Sequence, residues 1–361
     1  MMVPAGQTLS GRRESLRPLL LPGLAMALLA GVLASLAIGA SSIPVWDVVR
    51  VLLSQIGWMD PVETGKAHQE LVVLSLRLPR TITALMVGAA LGLSGAVLQG
   101  VFRNPLADPT LVGVSSGAAF AAAATIVLGG TSGMAVVIGF FGAFALPICA
   151  FLGGLATTGL LYRFATRQGR TSVAIMLLAG IAVGALASAG TGMLIFLSND
   201  EQLRDITFWM LGSVGGATWS TTLPLLLLLP VFAGIIFVAR PLNQLLLGNR
   251  EARLIGVNVD RLVRWLIVAV ALSVGAAVSV SGIIGFVGIV VPHFLRLITG
   301  PDHRFVLPGS MLLGGLLLIV ADILARTLFA PAELPIGILT AIMGAPFFLW
   351  LLMKMQRRFG D

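Results

Sequence analysis

The sequence predicts an all-α integral membrane protein with about ten transmembrane helices, and three observations predict it. Mean hydropathy is +1.01. Charged residues make up 11% of the chain, against about 25% in soluble domains, which excludes a soluble enzyme. Long charge-free runs recur along the chain, separated by short basic clusters. The net charge of +8 sits in those clusters, the pattern of cytoplasmic loops rather than of a nucleic-acid-binding face.

The charge-free runs cover 18–46, 81–102, 110–162, 171–199, 206–239, 265–295, 305–321 and 334–353. Several are too long for one crossing of about 20 residues. The run 110–162 divides at the glycine-rich turn 129–133, and 265–295 divides near Ser281 and Gly282, which brings the total to about ten spans. An even number puts both termini on one side. With that side in the cytoplasm, only Arg50, Lys66, Arg77, Arg80, Arg204 and Arg326 of the 23 lysines and arginines fall outside, as the positive-inside rule requires. The chain then divides into a cytoplasmic tail (1–16), a transmembrane domain (17–354) with its largest cytoplasmic loop at about 240–262, and a second cytoplasmic tail (355–361). Arg12, Arg13 and Arg17 ahead of the first run resemble a secretory signal. That run is longer than the usual signal core of about 7–15 residues, so an uncleaved first helix is expected.

The 43 glycines point to helices in close approach, as at Gly88 and Gly92 or in the series Gly282, Gly285, Gly288. Between the second and third spans lies a polar segment broken twice by proline: Gln99, Arg103, Asn104, Pro105, Leu106, Asp108, Pro109. Gly113, Ser115, Ser116 and Gly117 come next. Irregular backbone of this kind cannot face lipid, because each unpaired group would cost several kcal/mol there, so it must line protein or a water-filled route.

No glycine-rich phosphate loop is present; Thr64-Gly65-Lys66 lacks the leading glycine. The runs hold almost no ionisable group that could bind a coupling ion. Asp322 and Arg326, one helical turn apart, lie near the outer end of the ninth span. With a single cysteine (Cys149) and three histidines (His68, His293, His303) read as helix-end or loop residues, no metal, cofactor or catalytic constellation emerges. Energy is therefore expected from a separate cytoplasmic partner, the alternative being an ATP-independent carrier. A docking element for that partner is expected in the 240–262 loop, as short amphipathic helices carrying Leu245, Leu246, Leu254, Ile255 and Val257 and broken at Gly248 and Gly256. An interfacial helix lying on lipid headgroups is the other reading. On the outer rim, Arg77, Arg80 and Arg326 suit forked contacts with carboxylates of a docking protein. Local pairing with Glu70, Asp322 or Glu333 is the alternative.

Taken in order, Arg77-Leu-Pro-Arg80, Gly95-Ala-Val-Leu-Gln-Gly100, Asn104-Pro-Leu-Ala-Asp-Pro109, Ser115-Ser-Gly117, Glu251-Ala-Arg-Leu-Ile-Gly256, Gly285-Phe-Val-Gly288, Pro292-His293, Asp302-His-Arg304 and Glu333-Leu-Pro-Ile-Gly337 resemble the iron-siderophore, heme and vitamin B12 permease family of bacterial ABC importers. The resemblance implies the type II ABC importer permease fold in the bacterial inner membrane, with both termini cytoplasmic. It also implies a homodimer with the pathway between subunits, two ATPase subunits that carry ATP and Mg, and a periplasmic binding protein, with no cofactor on this chain. By position, Arg77, Arg80 and Arg326 match the family's binding-protein contacts. Asn104, Leu106, Thr171 and Ser172 match its cytoplasmic gate, and Glu251, Ala252, Arg253, Leu254, Ile255 and Gly256 match its ATPase coupling element. The segments 103–117, 208–219 and 301–308 look most like the heme branch, with a ferric siderophore or corrinoid as alternative cargo.

Overall fold

The structure, a computed structural model, describes residues 5–39, 41–59, 67–167 and 170–359. Its helices are α1 (Ala5–Ala37), α2 (Val45–Gln55), α3 (Ala67–Leu71), α4 (Leu78–Phe102), α5 (Val114–Val127), α6 (Ser132–Phe141), α7 (Ala145–Ala165), α8 (Val173–Leu197), α9 (Asp200–Leu211), α10 (Trp219–Thr222), α11 (Leu229–Phe237), α12 (Ala239–Leu245), α13 (Asn249–Leu254), α14 (Val259–Ser281), α15 (Val287–Thr299), α16 (His303–Thr327) and α17 (Ile336–Phe359). A π-helical stretch (Val72–Arg77) leads into α4, and a 3-10 stretch (Leu223–Leu228) joins α10 to α11. Two short antiparallel strands, β1 (Thr166–Arg167) and β2 (Arg170–Thr171), form the only non-helical ladder among the described residues.

Seven helical stretches are long and apolar enough to cross a membrane, and Val114–Val127, Val287–Thr299 and Ile336–Trp350 are shorter apolar helices. Together they account for the spans expected from the charge-free runs. The breaks also fall where glycine and small residues marked them. Helix α5 ends before the 129–133 turn, and α14 ends at Ser281 with Gly282 at φ 69°, in the left-handed region open to glycine.

The sixth span differs. The run 206–239 reads as one stretch, but its first part belongs to α9, an amphipathic helix. Asn199 and Gln202 start α9 by capping each other's backbone amides, and Gly212 at φ 70° ends it. The crossing itself begins at Trp219. The outer loop between the first two spans contains α2, whose Val48 and Val51 pack under α1; residues 60–66, with Lys66, lie outside the described residues.

Helix α4 is the axis of the core. It is apolar on every side and buried along almost its whole length, as expected of a helix with no lipid-facing stripe. Helices α14, α15 and α16 surround it. Gly88 meets the backbone of Gly314, Gly92 meets Ser310, and Gly95 meets Gly288, in each case with no space for a Cβ. The glycine content thus sets interaxial distance, as small-residue faces do in bilayers.

Candidate functional site

Polar side chains gather in two layers, one at each end of the bundle. At the outer layer, the end of α1, the start of α4 and the end of α16 meet. Arg80 Nε donates to Asp322 Oδ1 at 2.9 Å, and its two terminal nitrogens fork onto Glu333 Oε1 and Oε2 at 2.9 and 3.0 Å. Arg326 stands 3.5 Å from Asp322 Oδ2, one turn away on α16, and donates to Ser35 O and Oγ, both at 2.8 Å. Arg77 donates to Leu36 O at 2.7 Å, Ala37 O at 2.9 Å and Ser41 O, which satisfies the bare carbonyls at the end of α1.

The open rim expected for these arginines is corrected here. Arg77 and Arg326 are only 6% and 8% exposed, and the Arg80 side chain 13%. All three turn inward because buried acceptors are available: helix-end carbonyls for Arg77, Asp322 for the other two. The Asp322 and Glu333 part of the local-pairing alternative is therefore what the single chain adopts. Glu70 instead accepts from Gln55 at 2.9 Å. The exposed member of the outer layer is Glu333, with 47% of its side chain open.

At the inner layer, α4 ends at Arg103, a non-glycine residue at φ 50°. Asn104 Oδ1 then accepts from Leu106 N at 3.0 Å, an Asx turn that bends the chain away from the helix. Asp108 caps the 3-10 turn Pro109–Val112 by accepting from Thr110 N at 2.8 Å. Burial pushes its carboxyl above the ordinary carboxylate range, against the pull of that bond. The other two gate candidates lie on the β1–β2 hairpin and just after it. The Thr171 and Thr166 hydroxyls are 3.0 Å apart, and Ser172 Oγ caps α8 by accepting from Ile175 N at 3.4 Å. Further along the chain, Thr110, Ser115, Ser116, Ser188 and Thr191 line a groove of about 350 Å³ between α5 and α8. Thr110, Ser115 and Ser116 of the segment after α4 thus face a hydroxyl-lined space.

The 240–262 loop forms α12 and α13, broken where expected, at Gly248 (φ 126°) and Gly256 (φ 92°). Ala252 is fully buried, whereas Leu254 and Ile255 are 81% and 54% exposed. The loop thus holds two apolar side chains outward on an anchored turn. Glu251 folds back against Gly248, and Arg253 bridges Asp260 at 3.1 Å.

Several inner-layer residues had no functional assignment from sequence. His303 is a helix-end residue as expected, fully buried at the start of α16, whereas His293 sits mid-way along α15, edge-on to Phe347 at 6.0 Å. Arg296 donates to Gln99 Oε1 and to Ala96 O, the latter at 3.2 Å, tying α15 to α4. Their partners lie far away in the chain, so no local pattern announces them.

Residues 27–354 match the model of the FecCD transport family. The chain is 45% identical to the hemin transport system permease protein HmuU of Yersinia pestis, over 79% of this chain and 84% of that protein. It is 43% identical to the vitamin B12 import system permease protein BtuC of Citrobacter koseri, over 88% of this chain and 94% of that one. Among solved structures, a metal-chelate type ABC transporter in an inward-facing conformation superposes with a TM-score of 0.78 at 35% identity, covering 93% of this chain and 99% of the other. A bundle with two polar layers, glycine-packed around α4 and matched over nearly all its spans, belongs to the FecCD transport family: the chain is a multi-pass ABC transporter permease subunit, not itself catalytic.

Proposed function

We propose that two copies of this chain form the pathway of an importer that carries heme from periplasm to cytoplasm across the bacterial inner membrane. Separate ATPase subunits drive it, and a periplasmic binding protein loads it. The observation that carries the transport reading is the pair Leu254 and Ile255, exposed on a turn anchored by buried Ala252. An apolar knob rigidly mounted at the inner layer suits insertion into a groove on an ATPase. Hydroxyls of Ser115, Ser116, Ser188 and Thr191 along a groove with few charges suit a large flat ligand that must pass without being held. The 45% identity with the hemin permease supports heme. The similar identity with vitamin B12 permeases supports a corrinoid as the second reading.

Reconstitution in liposomes with the cognate ATPase and binding protein tests this directly. Hemin uptake that requires ATP is expected. Uptake of cyanocobalamin alone would replace heme by a corrinoid, and uptake without ATP would indicate a carrier. In the same vesicles, Leu254→Asp is expected to cut transport per ATP hydrolysed about tenfold, since a charge is forced into an apolar socket. Undiminished coupled uptake would remove this turn from the ATPase contact.

For the outer layer, we propose that Arg80, of the three arginines, receives a carboxylate of the binding protein, since Arg77 and Arg326 are held by buried acceptors. The Arg80 fork already holds Glu333, an exposed carboxylate in the place a partner's would take. Glu333→Gln is therefore expected to tighten docking of the binding protein about threefold at low salt. Titration of docking affinity checks this, and an unchanged affinity would take Arg80 out of the docking surface.

A further inference from the structure

Two sets of contacts flank the coupling turn; one reaches the 166–172 hairpin and the other reaches the last turn of α4, ahead of Asn104. On the C-terminal flank, α13 is fastened to α14. Val257 N donates to Ala252 O at 2.9 Å, Arg253 bridges Asp260 at 3.1 Å, and Asn258 caps α14 by accepting from Arg261 N at 3.0 Å. One turn further on, Arg264 Nε donates to the Tyr162 hydroxyl at 3.1 Å. The Thr166 and Thr171 side chains lie close to that hydroxyl, and their own hydroxyls are 3.0 Å apart. Tyr162 therefore joins the root of α14 to the hairpin that leads into Ser172.

On the N-terminal flank, the link starts at Asn243 on α12. Its Nδ2 donates to Asp302 Oδ1 at 2.6 Å. Its Oδ1, which can then only accept, lies 2.8 Å from both His303 N and His303 Nδ1, so Nδ1 carries the proton. The other side of the His303 ring lies against Gly100, where a Cβ would stand 2.6 Å from Nε2, and Leu242 closes the same space. Gly100 is one turn before Arg103 and the Asx turn of Asn104 and Leu106.

We propose that Tyr162 and the Asn243–His303 pair are positioning residues that transmit displacement of the coupling turn to the gate. Tyr162 drives the Thr171–Ser172 segment, and Asn243 with His303 drives the Asn104–Leu106 segment. The inference rests on the coupling and gate assignments proposed above. Directional bonds suit this task better than apolar contact does, because packed side chains slide over one another at little cost whereas a hydrogen bond is lost when its donor shifts. Tyr162 is the sole tyrosine of the chain, and phenylalanine would fill its space without the bond.

The test uses the assembled transporter in a Cys149→Ser background, with a single reporter thiol at Ala174→Cys, in the first turn of α8, or at Arg103→Cys, at the end of α4; both positions are exposed. Tyr162→Phe is expected to keep ATP hydrolysis within about twofold while transport per ATP falls about tenfold, the worth of one charge-assisted bond. The ATP-dependent change in labelling should vanish at the Ala174→Cys thiol and persist at the Arg103→Cys thiol. Asn243→Leu should give the reverse pattern. A fall of hydrolysis and transport together would assign both residues a merely structural role and overturn the proposal, as would unchanged transport per ATP and labelling. Leu254→Asp separates the two levels: if it uncouples while Tyr162→Phe and Asn243→Leu do not, only this inference fails. If it does not uncouple either, the coupling assignment falls with it.

Discussion

Replacing Asp322 by alanine is expected to remove about 3–5 kcal/mol of stability, the cost of stranding buried charge after one partner of an ion pair is lost. Asp322 is fully buried, and the side chains of Arg80 and Arg326 on either side of it are only 13% and 6% exposed. Neither guanidinium can swing to water without unpacking the junction of α1, α4 and α16. Asp322→Asn keeps the shape and one acceptor and is expected to cost less than half as much. Thermal unfolding of the purified chain in detergent checks both. A melting temperature within about 2 °C of the parent for Asp322→Ala would show that the arginines are solvated there.

The second large effect is expected at the crossing of α4 and α16. Gly88 and Gly314 face each other with backbone against backbone, and a Cβ on either would overlap the other's carbonyl. Gly88→Leu must push two membrane-length helices apart, so its cost is expected at about 3 kcal/mol or more, the upper end of overpacking. The outward push would also widen the contacts of Gly92 with Ser310 along the same ridge. Gly159→Leu is the control, since a Cβ there meets nothing within 4 Å, and a change of about 0.5 kcal/mol or less is expected. Comparable yields of folded protein from Gly88→Leu and Gly159→Leu would contradict the close packing.

Much of the fold is legible because membrane helices write their limits into composition. Charge-free runs mark the spans, Gly282 and the 129–133 turn mark the hidden breaks, and Gly248 and Gly256 punctuate the 240–262 loop at left-handed positions that other residues resist. The true start of the sixth span is concealed because Ile206 to Leu211 is apolar enough to merge with the crossing beyond it. Only the reciprocal cap at Asn199 and Gln202, with Gly212 at the far end, separates α9 from that crossing.

The candidate site is legible by position and not by environment. Arginine on an outer loop reads as exposed: pairing of Arg80 with Asp322 or Glu333 stands in the sequence only as one alternative, and nothing there indicates that Arg77 meets the end of α1. Tyr162 and Arg264 are 102 positions apart, and Asn243 and His303 are 60 apart. Such pairings are set by how helices cross, which short-range spacing does not encode.

Between the outer layer of Arg80, Asp322 and Arg326 and the inner layer of Arg296, His303 and Arg264, the described spans carry no charged side chain. The transmembrane voltage does about 2.3 kcal/mol of work per 100 mV on each elementary charge that crosses it. Apart from Asp108, packed against Gly288 in the segment after α4, none of the described charges lies between the two layers, so rearranging the bundle moves little gating charge. The electrical work of one transport cycle then falls on the cargo's own net charge, which leaves nucleotide turnover as the source of direction in polarised and depolarised membranes alike.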